Sequence, residues 1–221
     1  MKIARLNQNA LKIIAAITFV LIVIFSIGFK VNILNVLPLL VSIFIMFLQS
    51  RVNRYAFLIG SLNSIFYAIA YFYMTLYSLA LYALLVSFPI QIFTFFSWKK
   101  NTQNGRTETK SLSLRGRIIM FALMVLIWLA LFLIFSAFNS TYLILDNTLS
   151  VLGIVTSVLC ALRFSEYAIL QTASTVANLV LYGFMITNDL SKIVWLIFSL
   201  YSATCSILAF ININRQSKKG E

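Results

Sequence analysis

Histidine is absent from the chain, carboxylates number five, and proline and cysteine occur twice each. Each shortage closes off a chemistry. Without histidine there is no imidazole to activate a serine or cysteine nucleophile, and no HExxH metal motif. The five acids, Glu108, Asp146, Glu166, Asp189 and Glu221, fall in loops or at the ends of apolar runs. No carboxylate pair is therefore expected within a membrane for acid–base catalysis, a proton relay or ion binding. An enzyme is not expected, nor a metal or any cofactor. Cys160 and Cys205 lie inside apolar runs, where they read as small hydrophobes rather than a disulfide or metal ligands. Charged residues make up 10% of the chain, against about 25% in a soluble domain. What remains is an integral membrane protein with no room for a soluble domain of even about 50 residues.

What the chain does contain is apolar runs. The first, 11–29, follows a short basic lead; it is long enough to span a bilayer, which takes about 20 residues, and has no small-residue cleavage site after it, so it reads as a retained helix. Further runs occupy 33–49, 55–74, 77–98, 117–138, 147–162, 167–187 and 191–211. Eight spans result. With the N-terminus in the cytoplasm, the cytoplasmic segments hold fifteen basic residues, among them Arg51, Arg54, Lys99, Lys100, Arg115, Arg117 and Arg163, and leave only Lys30 and Lys192 outside. That partition puts both termini in the cytoplasm. The net charge of +12 is then topology, with some attraction to anionic lipid heads, and nucleic acid is not an expected partner.

Sliding the sequence along itself gives an ungapped internal match at an offset of 112, pairing Asn35 with Asn147, Arg51 with Arg163, Tyr55 with Tyr167 and Ser87 with Ser199. The unit is three helices, and one helix lies between the copies, so both copies cross in the same sense: parallel repeats about an axis along the membrane normal. The organisation read from this is an extra N-terminal helix (1–32), a first repeat (33–98), a basic loop (99–116), a linker helix (117–138), a second repeat (139–211) and a tail (212–221). The linker and first helices are plain and apolar, suited to the periphery.

Polar residues concentrate in the repeats and form stripes. Ser87, Gln91, Thr94 and Trp98 fall at i, i+4, i+7 and i+11 on one face of the fourth helix,. Asn63, Tyr67 and Tyr71 do so on the third; Gln171, Asn178 and Tyr182 on the seventh; Trp195, Ser199, Ser202 and Ser206 on the eighth. One stripe alone is ordinary polar packing. Four on the two repeats point to a shared cavity at the pseudo-twofold axis. Its candidate ligand-binding residues are Asn63, Tyr67, Gln91, Thr94, Trp98, Gln171, Asn178, Tyr182, Trp195 and Ser199. Amides, hydroxyls and aromatic faces without charge suit a small neutral or delocalised heteroaromatic ligand such as a nucleoside or vitamin, and a ring cation would gain a cation–π attraction of about 0.5–2 kcal/mol. Pro38 is either a first-turn proline or a hinge, and Pro89 is expected to kink the helix beside Gln91.

The stretch LYSLALYALLVSFPIQIFTFFSWKK (76–100), Asn63 in the preceding helix, and the turns from Arg51 to Tyr55 and from Arg163 to Tyr167 resemble the PnuC-type bacterial vitamin transporters, which share a three-plus-one-plus-three helix arrangement with the sugar-transporting SWEETs. The resemblance implies an all-α polytopic fold of two parallel three-helix repeats joined by a linker helix, with one extra N-terminal helix. It implies facilitated diffusion of nicotinamide riboside, trapped by phosphorylation after entry, in a homotrimer in the bacterial cytoplasmic membrane. Relatives specific for nicotinamide riboside carry more tryptophan at the ends of the fourth and last helices, where this chain has Phe95 and Phe210, so thiamine and deoxynucleosides stay open as substrates. A vitamin-binding subunit of an ATP-driven transporter is the reading from another class.

Overall fold

The computed structural model describes residues 2–103, 106–107, 110–138 and 140–217, and of 2–8, 102–103, 106–107 and 214–217 the backbone alone. Glu108 and Glu221, two of the five acids, lie outside the described residues. Eight helices here are long and apolar enough to cross a membrane. They are α1 (Lys2–Gly28), α2 (Ile33–Ser50), α3 (Tyr55–Tyr73), α4 (Tyr77–Lys100), α5 (Leu114–Phe135), α6 (Leu143–Ala161), α7 (Tyr167–Asn188) and α8 (Ile193–Ser217). A ribbon of two two-residue strands, Thr102–Gln103 against Arg106–Thr107, interrupts the basic loop after α4.

The turns are tight, and four of them place a residue other than glycine at the left-handed position. After α1, α2, α3 and α6 the chain closes with the same paired bonds, as in Asn53 N–H to Leu48 O and Val52 N–H to Gln49 O. That six-to-one plus five-to-two pattern needs a left-handed residue. Lys30, Val52, Thr75 and Arg163 supply it at φ of 52, 56, 57 and 65°. These turns also correct the internal match. Val52 and Arg163 occupy the same place in the motif and are 111 apart, whereas the starts of α3 and α7, Tyr55 and Tyr167, are 112 apart. The second turn is one residue longer, so the ungapped register is one too many at the ends of α2 and α6.

The centre is formed by α2, α3, α6, α7 and α8, with Leu39, Leu149, Leu181, Val194 and Trp195 almost wholly enclosed. Lipid offers apolar side chains as good a home as the protein does, so polar ties and close packing do the holding. The Tyr201 hydroxyl donates to Ile43 O at 3.0 Å, and the Asn212 amide donates to Ser50 O at 2.7 Å, fastening α8 to α2 at two levels. Peripheral placement of the plain helices is what the burial shows. α5 buries only Phe135 and is tied to α6 by Trp128 Nε1–H donating to Thr148 Oγ1 at 3.1 Å. α1 buries a narrow stripe, Leu11, Thr18, Ile22 and Ser26, and exposes much of its remaining described surface.

One acidic residue sits differently from the sequence expectation. α6 begins at Leu143 rather than at 147, and the added turn carries Asp146 into the interior, with none of its surface exposed. Its carboxylate accepts Leu79 N–H at 2.9 Å, Ser78 N–H at 3.1 Å and the Ser140 hydroxyl at 3.3 Å. It thus caps α4 from another helix, placing negative charge at the positive end of the helix dipole. Glu166, just before α7, accepts Arg117 Nη2–H at 3.0 Å and Leu112 N–H at 2.9 Å. Backbone bonds between Lys110 and Arg163 and between Ser165 and Lys110, each 2.8 Å, stitch the segment before α5 to the same turn.

A cavity in two chambers

α4 sets the site. It starts as an α-helix and widens into a π turn over Tyr82–Ser87, where Phe88 N–H reaches back five residues to Ala83 O. Pro89 explains this: it has no N–H, and its ring would collide with the carbonyl four residues earlier. Widening the preceding turn removes the collision, so the expected kink takes the form of a π turn. Five residues then make a turn, and Tyr82 comes onto the face that carries Ser87 and Gln91.

Below it the polar groups of α3 and α4 are bonded to one another. Gln91 Nε2–H donates to Ser64 Oγ at 2.9 Å and to Ser87 Oγ at 2.7 Å. Asn63 Nδ2–H donates to Pro38 O at 3.0 Å and to Ser42 Oγ at 2.9 Å, and Ser42 meets the Tyr67 hydroxyl at 2.9 Å. Pro38 lies in the second turn of α2, past the first-turn position weighed for it, and its carbonyl is braced by Asn63. The Asn63 Oδ1 atom is buried and has no partner.

Two cavities follow along α4. The first has a volume of about 200 Å³, a little under the range of about 300–1,000 Å³ common for small-molecule sites. Eight of the ten candidate residues line it: Asn63, Tyr67, Gln91, Gln171, Asn178, Tyr182, Trp195 and Ser199. Its wall is aromatic. Trp195 packs against Tyr67, Tyr71 and Tyr182 with ring centroids 5.8, 5.7 and 5.3 Å apart. Trp195 Nε1–H is buried without an acceptor. Asn178 donates to Ser174 O and Ser199 to Trp195 O within their own helices, leaving the Asn178 carbonyl oxygen for other partners.

The second cavity, about 120 Å³, holds the other two candidates, Thr94 and Trp98. The structure does not bring them to the aromatic wall. Trp98 is fully enclosed, donates Nε1–H to Cys160 O at 2.9 Å and meets Phe57 edge-on at 4.9 Å. It fastens the end of α4 to α6. Thr94 is likewise turned onto its own helix, donating to Ile90 O at 2.7 Å. Cys160 and Cys205 are free thiols on this lining. Tyr82 lines both cavities and was missed by periodicity, since a uniform 3.6-residue repeat gives its place to Ala83. Tyr71, visible as part of the α3 stripe, also belongs to the aromatic wall.

Neither lining contains a Lys, Arg, Asp or Glu, and no cluster of potential metal ligands occurs among the described residues. Eight membrane-length helices around a charge-free polar path define a multi-pass membrane transporter in form. Residues 32–213 match the family model described as nicotinamide mononucleotide transporter, and the chain belongs to that family, which is one of transporters and not of enzymes. The fold is similar to a solved structure titled "Crystal structure of the Vitamin B3 transporter PnuC", at 18% identity and a TM-score of 0.77, covering 94% of this chain and 91% of that one. No curated protein sequence matches.

Proposed function

We propose that this chain carries nicotinamide riboside across the bacterial cytoplasmic membrane by facilitated diffusion, with phosphorylation inside the cell retaining it. The absence of any charged side chain from both cavity linings carries this reading. A mononucleotide, named by the family description, brings a phosphate of nearly two negative charges. Burying such a charge without a cationic partner costs several kcal/mol. A nucleoside carries no phosphate, and a pyridinium ring can take its stabilisation from aromatic faces. Trp195 Nε1–H and Asn63 Oδ1, a donor and an acceptor without partners, complement a ligand that offers both. Lack of carboxylates along the path fits passage without a coupled ion. Two parallel three-helix repeats, both termini in the cytoplasm and a homotrimeric assembly complete the proposal.

The test is a thermal-shift series on detergent-purified protein with nicotinamide riboside, nicotinamide mononucleotide, thiamine, a deoxynucleoside and free nicotinamide. A ligand bound only to the folded state stabilises it by RT ln(1 + [L]/Kd), about 2.7 kcal/mol at 100 Kd. Nicotinamide riboside is expected to stabilise and the mononucleotide not to. Stabilisation by thiamine or the deoxynucleoside alone reassigns the substrate. Uptake by the purified protein in liposomes without ATP excludes a subunit dependent on an ATP-driven partner.

A further inference from the structure

Six side chains line both cavities: Met46, Gln49, Tyr82, Ser87, Gln91 and Gln171. They form the partition between the chambers, and Tyr82 is the one aromatic ring among them. Two helical glycines make room for the partition. A Cβ at Gly60 would collide with the Gln91 amide, and one at Gly153 would lie 2.7 Å from Tyr82 Cε1 and 2.9 Å from its hydroxyl. Both contacts are closer than side chains tolerate, so each glycine is a seat for one α4 side chain. The seats differ in what they join. Gln91 is bonded to Ser64 and Ser87, on α3 and on α4 itself. Tyr82 leaves α4, rests on α6 and meets Ser157 Oγ at 3.0 Å. Its backbone lies in the π turn, where the helix is already wider than its regular form,.

Resting on the transport reading above, we infer that Tyr82 is the movable partition of the path: seated on Gly153 and held by Ser157 it separates the chambers, and leaving that seat joins them. The observations give each residue a distinct part. Gly153 supplies the space, Ser157 the latch, and the π turn, produced by Pro89, aims the ring. A relative movement of α4 and α6 unseats Tyr82 while leaving the Gln91 network whole.

Thiol accessibility tests this without a transported ligand. The second chamber carries Cys160 and Cys205, and Thr156→Cys adds a third reporter at a buried hydroxyl that has no hydrogen-bond partner to lose. Membrane vesicles of each orientation are treated with a membrane-impermeant methanethiosulfonate sulfonate. With Tyr82 intact, labelling is expected from one face, at least tenfold faster than from the other. Tyr82→Ala and Gly153→Ala are expected to bring the two rates within threefold, with Tyr82→Phe and Ser157→Ala between. Unchanged one-sided labelling in Tyr82→Ala overturns the inference. So does absence of labelling from both faces, because removing the partition must leave these thiols within reach. If the ligand series above fails while labelling responds as stated, the substrate reading falls and the partition stands.

Discussion

The two chambers are built from similar materials and put them to opposite uses. Around the aromatic wall of the first chamber, Trp195 keeps its N–H without an acceptor and Asn63 keeps its Oδ1 without a donor, although both residues are almost fully buried. Around the second chamber, Trp98 has its N–H on Cys160 O and its ring between Phe57 and Tyr167. An unpaired buried polar atom costs about 1–3 kcal/mol, so on the proposed reading Trp195 Nε1–H and Asn63 Oδ1 are held for a ligand, while the second chamber leaves only the Thr156 hydroxyl of its lining buried without a partner. The satisfied Trp98 N–H makes that residue a joint between α4 and α6. Tryptophan at a polar stripe is therefore no sign of binding until its N–H has been traced.

Exchanging the two tryptophans for smaller residues separates the roles. Trp98→Ala removes a wholly enclosed ring and the tie between α4 and α6, and should cost about 3–5 kcal/mol of stability. Thermal unfolding in detergent should show that loss, while ligand affinity of the remaining folded protein changes little; a large affinity loss would make the second chamber the binding site. Trp195→Ala should act the other way, weakening nicotinamide riboside by roughly 10- to 100-fold in a titration, from the lost cation–π and hydrogen-bond contributions of about 1–3 kcal/mol together.

Trp195→Phe is the finer probe. It keeps a ring on the wall and deletes only the N–H, so the expected loss is about 1 kcal/mol, roughly fivefold in affinity. No loss at all would mean that the unpaired N–H plays no part in recognition. The smallest effect belongs to Asp189, between α7 and α8 and remote from both chambers. Hydrogen bonds from Ser191, and then the neighbouring Lys192, hold its carboxyl below the ordinary value of 3.8. A depressed carboxyl stabilises the fold above its unfolded value and loses that contribution as the pH falls through the folded one. Asp189→Asn should thus lower the melting temperature slightly at pH 7, with the difference shrinking once the pH falls below about 4 and vanishing only below the depressed folded value; the side chain is half exposed, so the change is small,.

The eight spans were legible because a membrane helix must be long and apolar over its whole length, a property of consecutive residues. The α3, α7 and α8 stripes were legible for a related reason: these are regular helices, and polar side chains at helical spacing fall on one face. The stripe on α4 held from Ser87 onward and failed before it. A π turn shifts the phase by one residue, so Tyr82 was hidden by a local widening that only the packing around Pro89 reveals. Asp146 was hidden differently: that a carboxylate in the first turn of α6 caps α4, 68 residues back, is a contact between elements that no local pattern records.

By itself the sequence determined a charge-poor, eight-span membrane protein with polar stripes on its inner helices, because lipid imposes its constraints residue by residue. Tertiary structure alone decided how those stripes divide into two chambers, which tryptophan keeps its N–H unpaired, and that a tyrosine seated on a glycine stands between the chambers. These depend on which helix faces which, and on distances of a few tenths of an ångström between side chains far apart in the chain.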